Sequence, residues 1–121
     1  MKDYIKIARP DHCIKNLFIF PGTLFALLLV GWKGSYGGLA GIALVSFFCT
    51  CMIASANYVI NEWLDARFDK YHPTKKKRPV VQNTMSGKIV AAEYAVLAAV
   101  GLGASLLVNI PFFVCELWLL V

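Results

Sequence analysis

Three carboxylate residues stand close together where a long apolar segment of the sequence ends. They are Glu62, Asp65 and Asp69. Each residue of an α-helix advances about 100° around the axis, so on a helix these acids would share an arc roughly 60° wide. Like charges at spacings of three and four residues repel one another. A positive partner should offset that repulsion. Oxygen ligands of this kind suit Mg²⁺, which a few carboxylates usually hold together with substrate phosphates.

A run of cationic side chains follows the acids. Lys75, Lys76, Lys77 and Arg78 stand directly before Pro79. The run could serve only to orient the chain in a membrane, and this interpretation is favoured for Lys76. Proline restrains the residue before it, and arginine offers a planar fork that fits phosphate. We therefore expect Arg78, Lys75 and Lys77 to bind a diphosphate.

A second polar group lies near the amino terminus and is predicted to face the same side of the membrane. Arg9, Lys15 and Asn16 could simply anchor the first apolar run. Lys15 directly precedes that run, however, and a desolvated lysine is costly without an anionic partner. We predict that Arg9 and Lys15 contact the diphosphate and that Asn16 supports them. Asn61 either holds an acid by a hydrogen bond or packs as a polar residue.

Composition indicates a membrane protein. The mean hydropathy is +0.64, and only 16% of the 121 residues are charged, a balance unlike that of soluble domains. The net charge is +5, and the cations cluster in two stretches with only Lys33 elsewhere. Basic clusters beside apolar runs indicate orientation in a lipid bilayer and not binding to nucleic acid. The four cysteines show no zinc-ligand spacing.

The apolar runs predict an all-α, polytopic transmembrane helical bundle with about three full spans and the start of a fourth. Lysine and arginine bias places the amino terminus and the acidic and basic loop in the cytoplasm. The predicted elements are an interfacial segment at 1–16, spans at 17–32, 39–61 and 88–108, a cytoplasmic motif loop at 62–87 and an incomplete fourth span at 112–121.

The short last segment leads us to expect that these residues are the amino-terminal part of a longer protein. An apolar run of about half a crossing would leave a charged chain end in hydrocarbon. The remaining helices would come from a missing carboxyl-terminal half or from a second polypeptide.

Three stretches together resemble the UbiA superfamily of membrane prenyltransferases. The acidic stretch resembles the family's first aspartate-rich motif, with Glu62 where aspartate is usual. The other two stretches are most like the decaprenyl-phosphate phosphoribosyltransferase branch. They read Arg9-Pro10-x-x-x-x-Lys15-Asn16 and His72-Pro73-Thr74-Lys75-x-x-Arg78-Pro79.

The resemblance implies a bundle of about nine spans with a cavity facing the cytoplasm. It implies that Glu62, Asp65 and Asp69 hold Mg²⁺, that Asp65 and Asp69 are catalytic, and that the cations clamp a diphosphate. The implied reaction transfers a phosphoribosyl group from 5-phosphoribosyl diphosphate to a polyprenyl phosphate. The family's second acidic motif lies in later helices, so we expect no turnover from this segment alone.

Other interpretations fit parts of the sequence. Within the family, an isoprenyl diphosphate could instead react with an aromatic acceptor. A small four-span transporter would use Glu116 or Glu93 as its membrane carboxylate. An inactive remnant would only insert into the membrane or bind a partner.

Overall fold

The computed structural model describes residues 2–78, 81 and 85–121. The described residues contain helices and turns but no strand, which confirms the all-α fold class. The elements in chain order are helix α1 (Lys2–Ile7), a 3-10 segment (Pro10–Phe18), helix α2 (Ile19–Val30), helix α3 (Tyr36–Asp69), a short 3-10 turn (Lys75–Lys77), helix α4 (Gly87–Ser105) and helix α5 (Ile110–Leu120).

Three helical stretches of the described residues are long and apolar enough to cross a membrane. They are Lys2–Val30, Tyr36–Asp69 and Gly87–Ser105. The apolar helix α5 is shorter, with 11 residues. Helix α3 has 34 residues, which at 1.5 Å per residue is about 51 Å, against about 30 Å for the hydrocarbon core of a bilayer. At least one end of α3 therefore extends beyond the apolar layer.

The acidic stretch is helical and continues α3 without a break. The sequence interpretation ended the second span at residue 61 and assigned 62–87 to a loop, whereas α3 continues through Asp69. No glycine or proline occurs between Gly41 and Pro73, so nothing in the backbone ends the helix earlier. The Ser35 side chain accepts a hydrogen bond from the Gly38 N–H at 3.1 Å and caps the other end.

Helix α4 packs along α3, and two glycines mark the close approach. A Cβ atom at Gly101 would lie 2.8 Å from Cδ1 of Ile53, and one at Gly87 would lie 2.9 Å from Cζ2 of Trp63. These contacts pair the start of α4 with the end of α3, so the two helices are antiparallel. Small residues at such contacts let membrane helices approach one another.

A small apolar core joins α1, α3 and α4 near the acidic end of α3. Ile7, Ala8, Val59 and Val90 are buried there together. The Tyr4 hydroxyl also accepts a hydrogen bond from the Ser86 N–H at 3.1 Å. This core holds the amino-terminal segment beside the acids. Helix α2, in contrast, contains no buried residue.

Candidate diphosphate and metal site

Arg78 connects two buried carboxylates of α3. Glu62 and Asp69 are only 6% and 4% exposed, and their spacing of seven residues puts them two turns apart on one face. Nη1 of Arg78 lies 3.2 Å from Oε2 of Glu62 and 2.9 Å from Oδ2 of Asp69. One guanidinium therefore offsets the mutual repulsion of both acids.

Two further cations engage the remaining carboxylate oxygens. The Arg9 guanidinium pairs with Oε1 of Glu62, and Nζ of Lys75 lies 3.7 Å from Oδ1 of Asp69. All four oxygens of the two acids thus face a cation. Buried charges need such pairing, because removing one partner of a buried pair typically costs about 3–5 kcal/mol. We call these five residues the ion-pair cluster.

The amino-terminal 3-10 segment runs along α3 and brings Arg9 to the cluster. Successive residues of this segment contact successively earlier residues of α3, starting with Glu62. The His12 ring meets the Tyr58 ring edge-on, with centroids 5.1 Å apart, and Nδ2 of Asn16 lies 3.5 Å from Sγ of Cys51. Spacings of seven and four residues keep Cys51, Tyr58 and Glu62 on one face of α3. The segment and α3 are therefore antiparallel.

A turn around His72 returns the basic run to the acids. Nδ1 of His72 accepts from the backbone N–H groups of Thr74 and Lys75, each at 3.4 Å. The chain then turns back so that Lys75 and Arg78 reach Asp69. Pro79 lies outside the described residues.

The structure brings five of the ten predicted site residues into the ion-pair cluster and leaves the other five outside it. Asp65 is exposed on α3, and Lys15, Lys77 and Asn61 are exposed as well. Neither Lys15 nor Lys77 pairs with Glu62 or Asp69. Asn16 contacts Cys51 and not an acid. The roles of these residues stay predictions.

The carboxylates fit the chemistry of Mg²⁺ but do not form a preformed three-acid site. Among the described residues, no group of three histidine, cysteine, aspartate or glutamate side chains is placed to hold a metal. Mg²⁺, however, is commonly held by one or two carboxylates together with substrate phosphates. Glu62 and Asp69 can provide two such carboxylates if the cations paired with them bind the anion of a ligand instead.

A second buried acid lies in the apolar part of the bundle. Glu116 of α5 is 3% exposed, and its Oε1 lies 2.5 Å from Oγ1 of Thr50 on α3. The side chain of Asn57 also donates to the Leu119 carbonyl oxygen at 2.8 Å. These polar contacts attach α5 to α3. The transport role considered for Glu116 and Glu93 stays a prediction.

Comparison with known proteins now identifies the family. A model of the UbiA prenyltransferase family matches residues 19–121. The chain belongs to this family. The match covers α2 through α5 and includes the acids of the ion-pair cluster. It confirms the resemblance drawn from the three sequence stretches.

Curated relatives carry more than one name. The chain is 38% identical over 76 residues to decaprenyl-phosphate phosphoribosyltransferase of Mycolicibacterium smegmatis. The aligned region covers 63% of this chain and 24% of that protein. It is 32% identical over 98 residues to nodulation protein NoeC of Azorhizobium caulinodans, and this alignment covers 81% of this chain and 30% of that protein. It is 30% identical over 118 residues to 4-hydroxybenzoate octaprenyltransferase of Cupriavidus necator, covering 98% and 39%. The chain thus spans from a quarter to two fifths of these relatives, and no solved structure matches it.

Proposed function

We propose that this chain provides the first part of a diphosphate-binding site in a membrane transferase of the UbiA type. The observation that carries the proposal is the ion-pair cluster. Glu62 and Asp69 contribute two negative charges, while Arg9, Lys75 and Arg78 contribute three positive ones. The cluster therefore has one excess positive charge, which favours an anion. Arginine forks are well suited to diphosphate oxygens.

The preferred reaction is phosphoribosyl transfer from 5-phosphoribosyl diphosphate to a polyprenyl phosphate. A phosphate oxygen of the lipid would attack the anomeric carbon of the ribose as the bond from that carbon to the diphosphate breaks. Arg9, Lys75 and Arg78 would hold the departing diphosphate, and Glu62, Asp65 and Asp69 would hold Mg²⁺. The metal, when bound, neutralises charge that develops on the leaving group. The Mycolicibacterium relative and the three sequence stretches support this substrate pair.

An isoprenyl diphosphate reacting with an aromatic acceptor is the second candidate. The specific observation in its favour is the match of 98% of this chain to a 4-hydroxybenzoate octaprenyltransferase. Both donors contain a diphosphate, so the ion-pair cluster serves either reaction equally well. The two reactions differ in the group that is transferred and in the acceptor that receives it.

Diphosphate binding tests the shared part of the proposal. Inorganic diphosphate should bind to the membrane-embedded full chain with Mg²⁺ present and much more weakly after Glu62→Gln. Lys76→Gln is the matched control, because Lys76 is exposed in the same basic run. Isothermal titration in lipid nanodiscs measures both affinities. Equal affinities for the Glu62 variant and the unchanged chain would overturn the assignment.

Product analysis then separates the two donors. Membranes that contain the chain together with the later helices that carry the family's second acidic motif receive labelled 5-phosphoribosyl diphosphate and polyprenyl phosphate, or a labelled isoprenyl diphosphate and 4-hydroxybenzoate. Label in a ribosylated lipid phosphate would support the first reaction, and a prenylated aromatic acid the second. A reporter at Thr74 that maps to the cytoplasm would agree with the proposed orientation, in which the amino terminus and the cluster face that compartment.

A further inference from the structure

We propose that Tyr58 is a positioning residue for Arg9, whose guanidinium it holds at the mouth of the diphosphate site. The inference rests on the proposed function in so far as Arg9 is taken to bind diphosphate. Tyr58 lies four residues before Glu62, so both side chains project from the same face of α3. Nothing in the basic or acidic sequence stretches marks Tyr58 as part of the site.

The Arg9 guanidinium lies over the face of the Tyr58 ring. Its Cζ atom is 5.7 Å from the ring centroid, within the distance of about 6 Å at which a cation is attracted to an aromatic face. The same guanidinium pairs with Glu62. Arg9 is thus held by one charged partner and one uncharged partner, which are adjacent on α3.

The backbone of Arg9 gives a reason why it needs this support. Arg9 adopts φ 47° and ψ 57°. Among the described residues it is the only one other than glycine with a positive φ. Side chains disfavour this left-handed conformation, so surrounding contacts must maintain it. The His12 N–H donates to the Arg9 carbonyl oxygen at 2.9 Å, and the His12 ring packs edge-on against Tyr58 at 86°. Tyr58 therefore contacts both residues that fix this bend.

The two partners of Arg9 should behave differently when an anion and a metal arrive. If Glu62 binds Mg²⁺, its ion pair with Arg9 weakens, because the carboxylate oxygens serve the metal. The contact with Tyr58 involves no carboxylate and can persist. Tyr58 would then keep the guanidinium directed at the diphosphate when Glu62 no longer does. The phenol oxygen has no part in this role, which depends only on the aromatic ring.

The test compares Tyr58→Phe, which keeps the ring, with Tyr58→Leu, which removes it. The measured quantity is the affinity of the membrane-embedded chain for inorganic diphosphate in the presence of Mg²⁺. Tyr58→Leu should weaken binding roughly threefold to thirtyfold, the range that corresponds to a partly desolvated cation–aromatic contact. Tyr58→Phe should bind within about twofold of the unchanged chain. Phe68→Leu is the control, because it removes an exposed aromatic ring from the same helix.

A cycle with Arg9→Gln distinguishes positioning from general loosening of the helices. If Tyr58 acts through Arg9, Tyr58→Leu should have no further effect on diphosphate affinity once Arg9 is glutamine. An additional loss of the same size in both backgrounds would overturn the inference. So would equal losses for Tyr58→Phe and Tyr58→Leu, since the ring face would then be irrelevant.

A measurement without ligand separates this inference from the proposed function. In the arginine side-chain NMR spectrum, Arg9 should show a ring-current shift that Tyr58→Phe keeps and Tyr58→Leu removes. If the unchanged chain binds no diphosphate, the proposed function fails, while this shift still decides whether Tyr58 positions Arg9. A shift that survives Tyr58→Leu would overturn the positioning role whatever the diphosphate result.

Discussion

Buried carboxylates lie at two levels along helix α3, and the groups that pair with them are different at each level. At its acidic end, Glu62 and Asp69 face two arginines and a lysine. Twelve residues earlier, about 18 Å along the helix, Thr50 meets Glu116 through a hydroxyl group. Oε2 of Glu116 has no hydrogen-bond partner in the described part of the protein. One level is built from compensating charges and the other from a polar contact within apolar surroundings.

The difference indicates two uses of a buried acid. A carboxylate paired with arginine can exchange that cation for a metal while the arginine takes up an anion, so the ion-pair cluster suits a site that binds a ligand. The Thr50 hydroxyl has one proton and also lies 3.0 Å from the Ser46 carbonyl oxygen. A single hydroxyl proton cannot serve both oxygens fully. The contact with Glu116 involves no exchangeable cation and joins α5 to α3, so it suits a fixed attachment between two helices.

The largest expected effect comes from removing Arg78. Arg78→Met leaves Glu62 and Asp69 without the guanidinium that joins them, and the loss of one partner of a buried pair costs about 3–5 kcal/mol. Unfolding of the reconstituted chain in a denaturing detergent titration measures the free energy of unfolding. Lys76→Met is the control, with an expected change within about 0.5 kcal/mol because the side chain is exposed. Similar losses in both variants would show that the cluster does not stabilise the fold.

Much of this arrangement could be predicted from the sequence, but the pairing could not. The acid spacing indicated one helical face, and Glu62 and Asp69 do share it. Charge patterns alone do not show which acid meets which cation, because Arg9 and Arg78 lie 53 and 16 residues from Glu62 in the chain. Their approach depends on the amino-terminal 3-10 segment, which packs along α3, and on the His72 turn. Repulsion among the acids indicated a positive partner, for which the sequence favoured Mg²⁺. In this structure the cations that face Glu62 and Asp69 are side chains.

Tyr58 and Thr50 were not predicted for a related reason. An aromatic or hydroxyl residue within an apolar span is usually part of helix packing, and its importance emerges only when another segment is placed beside it. The position of Tyr58 one turn before Glu62 was the available signal. The extension of α3 to Asp69 was predictable as well, since no helix-breaking residue lies in that stretch.

An intermediate effect is expected at Glu116. Glu116→Gln keeps the shape of the side chain and can donate from its amide to Thr50, so the free energy of unfolding should fall by less than about 1 kcal/mol. Glu116→Ala removes the contact and leaves a cavity, and we expect a loss of about 2–3 kcal/mol. The same detergent titration measures both. A glutamine variant as unstable as the alanine variant would show that Glu116 depends on its charge, as the acids of the ion-pair cluster do.

The smallest effect on stability should come from Asp65, whose variant tests whether an exposed acid also serves the site. Asp65 is exposed on α3 between the two buried acids, so Asp65→Asn should change the free energy of unfolding by less than about 0.5 kcal/mol. If Asp65 is a ligand of Mg²⁺, the same change should weaken Mg²⁺-dependent diphosphate binding at least about tenfold, since even groups behind metal ligands have effects of this size. Calorimetry with inorganic diphosphate measures the second quantity. Unchanged binding would limit the metal site to Glu62 and Asp69, the two acids whose positions are already fixed by cations.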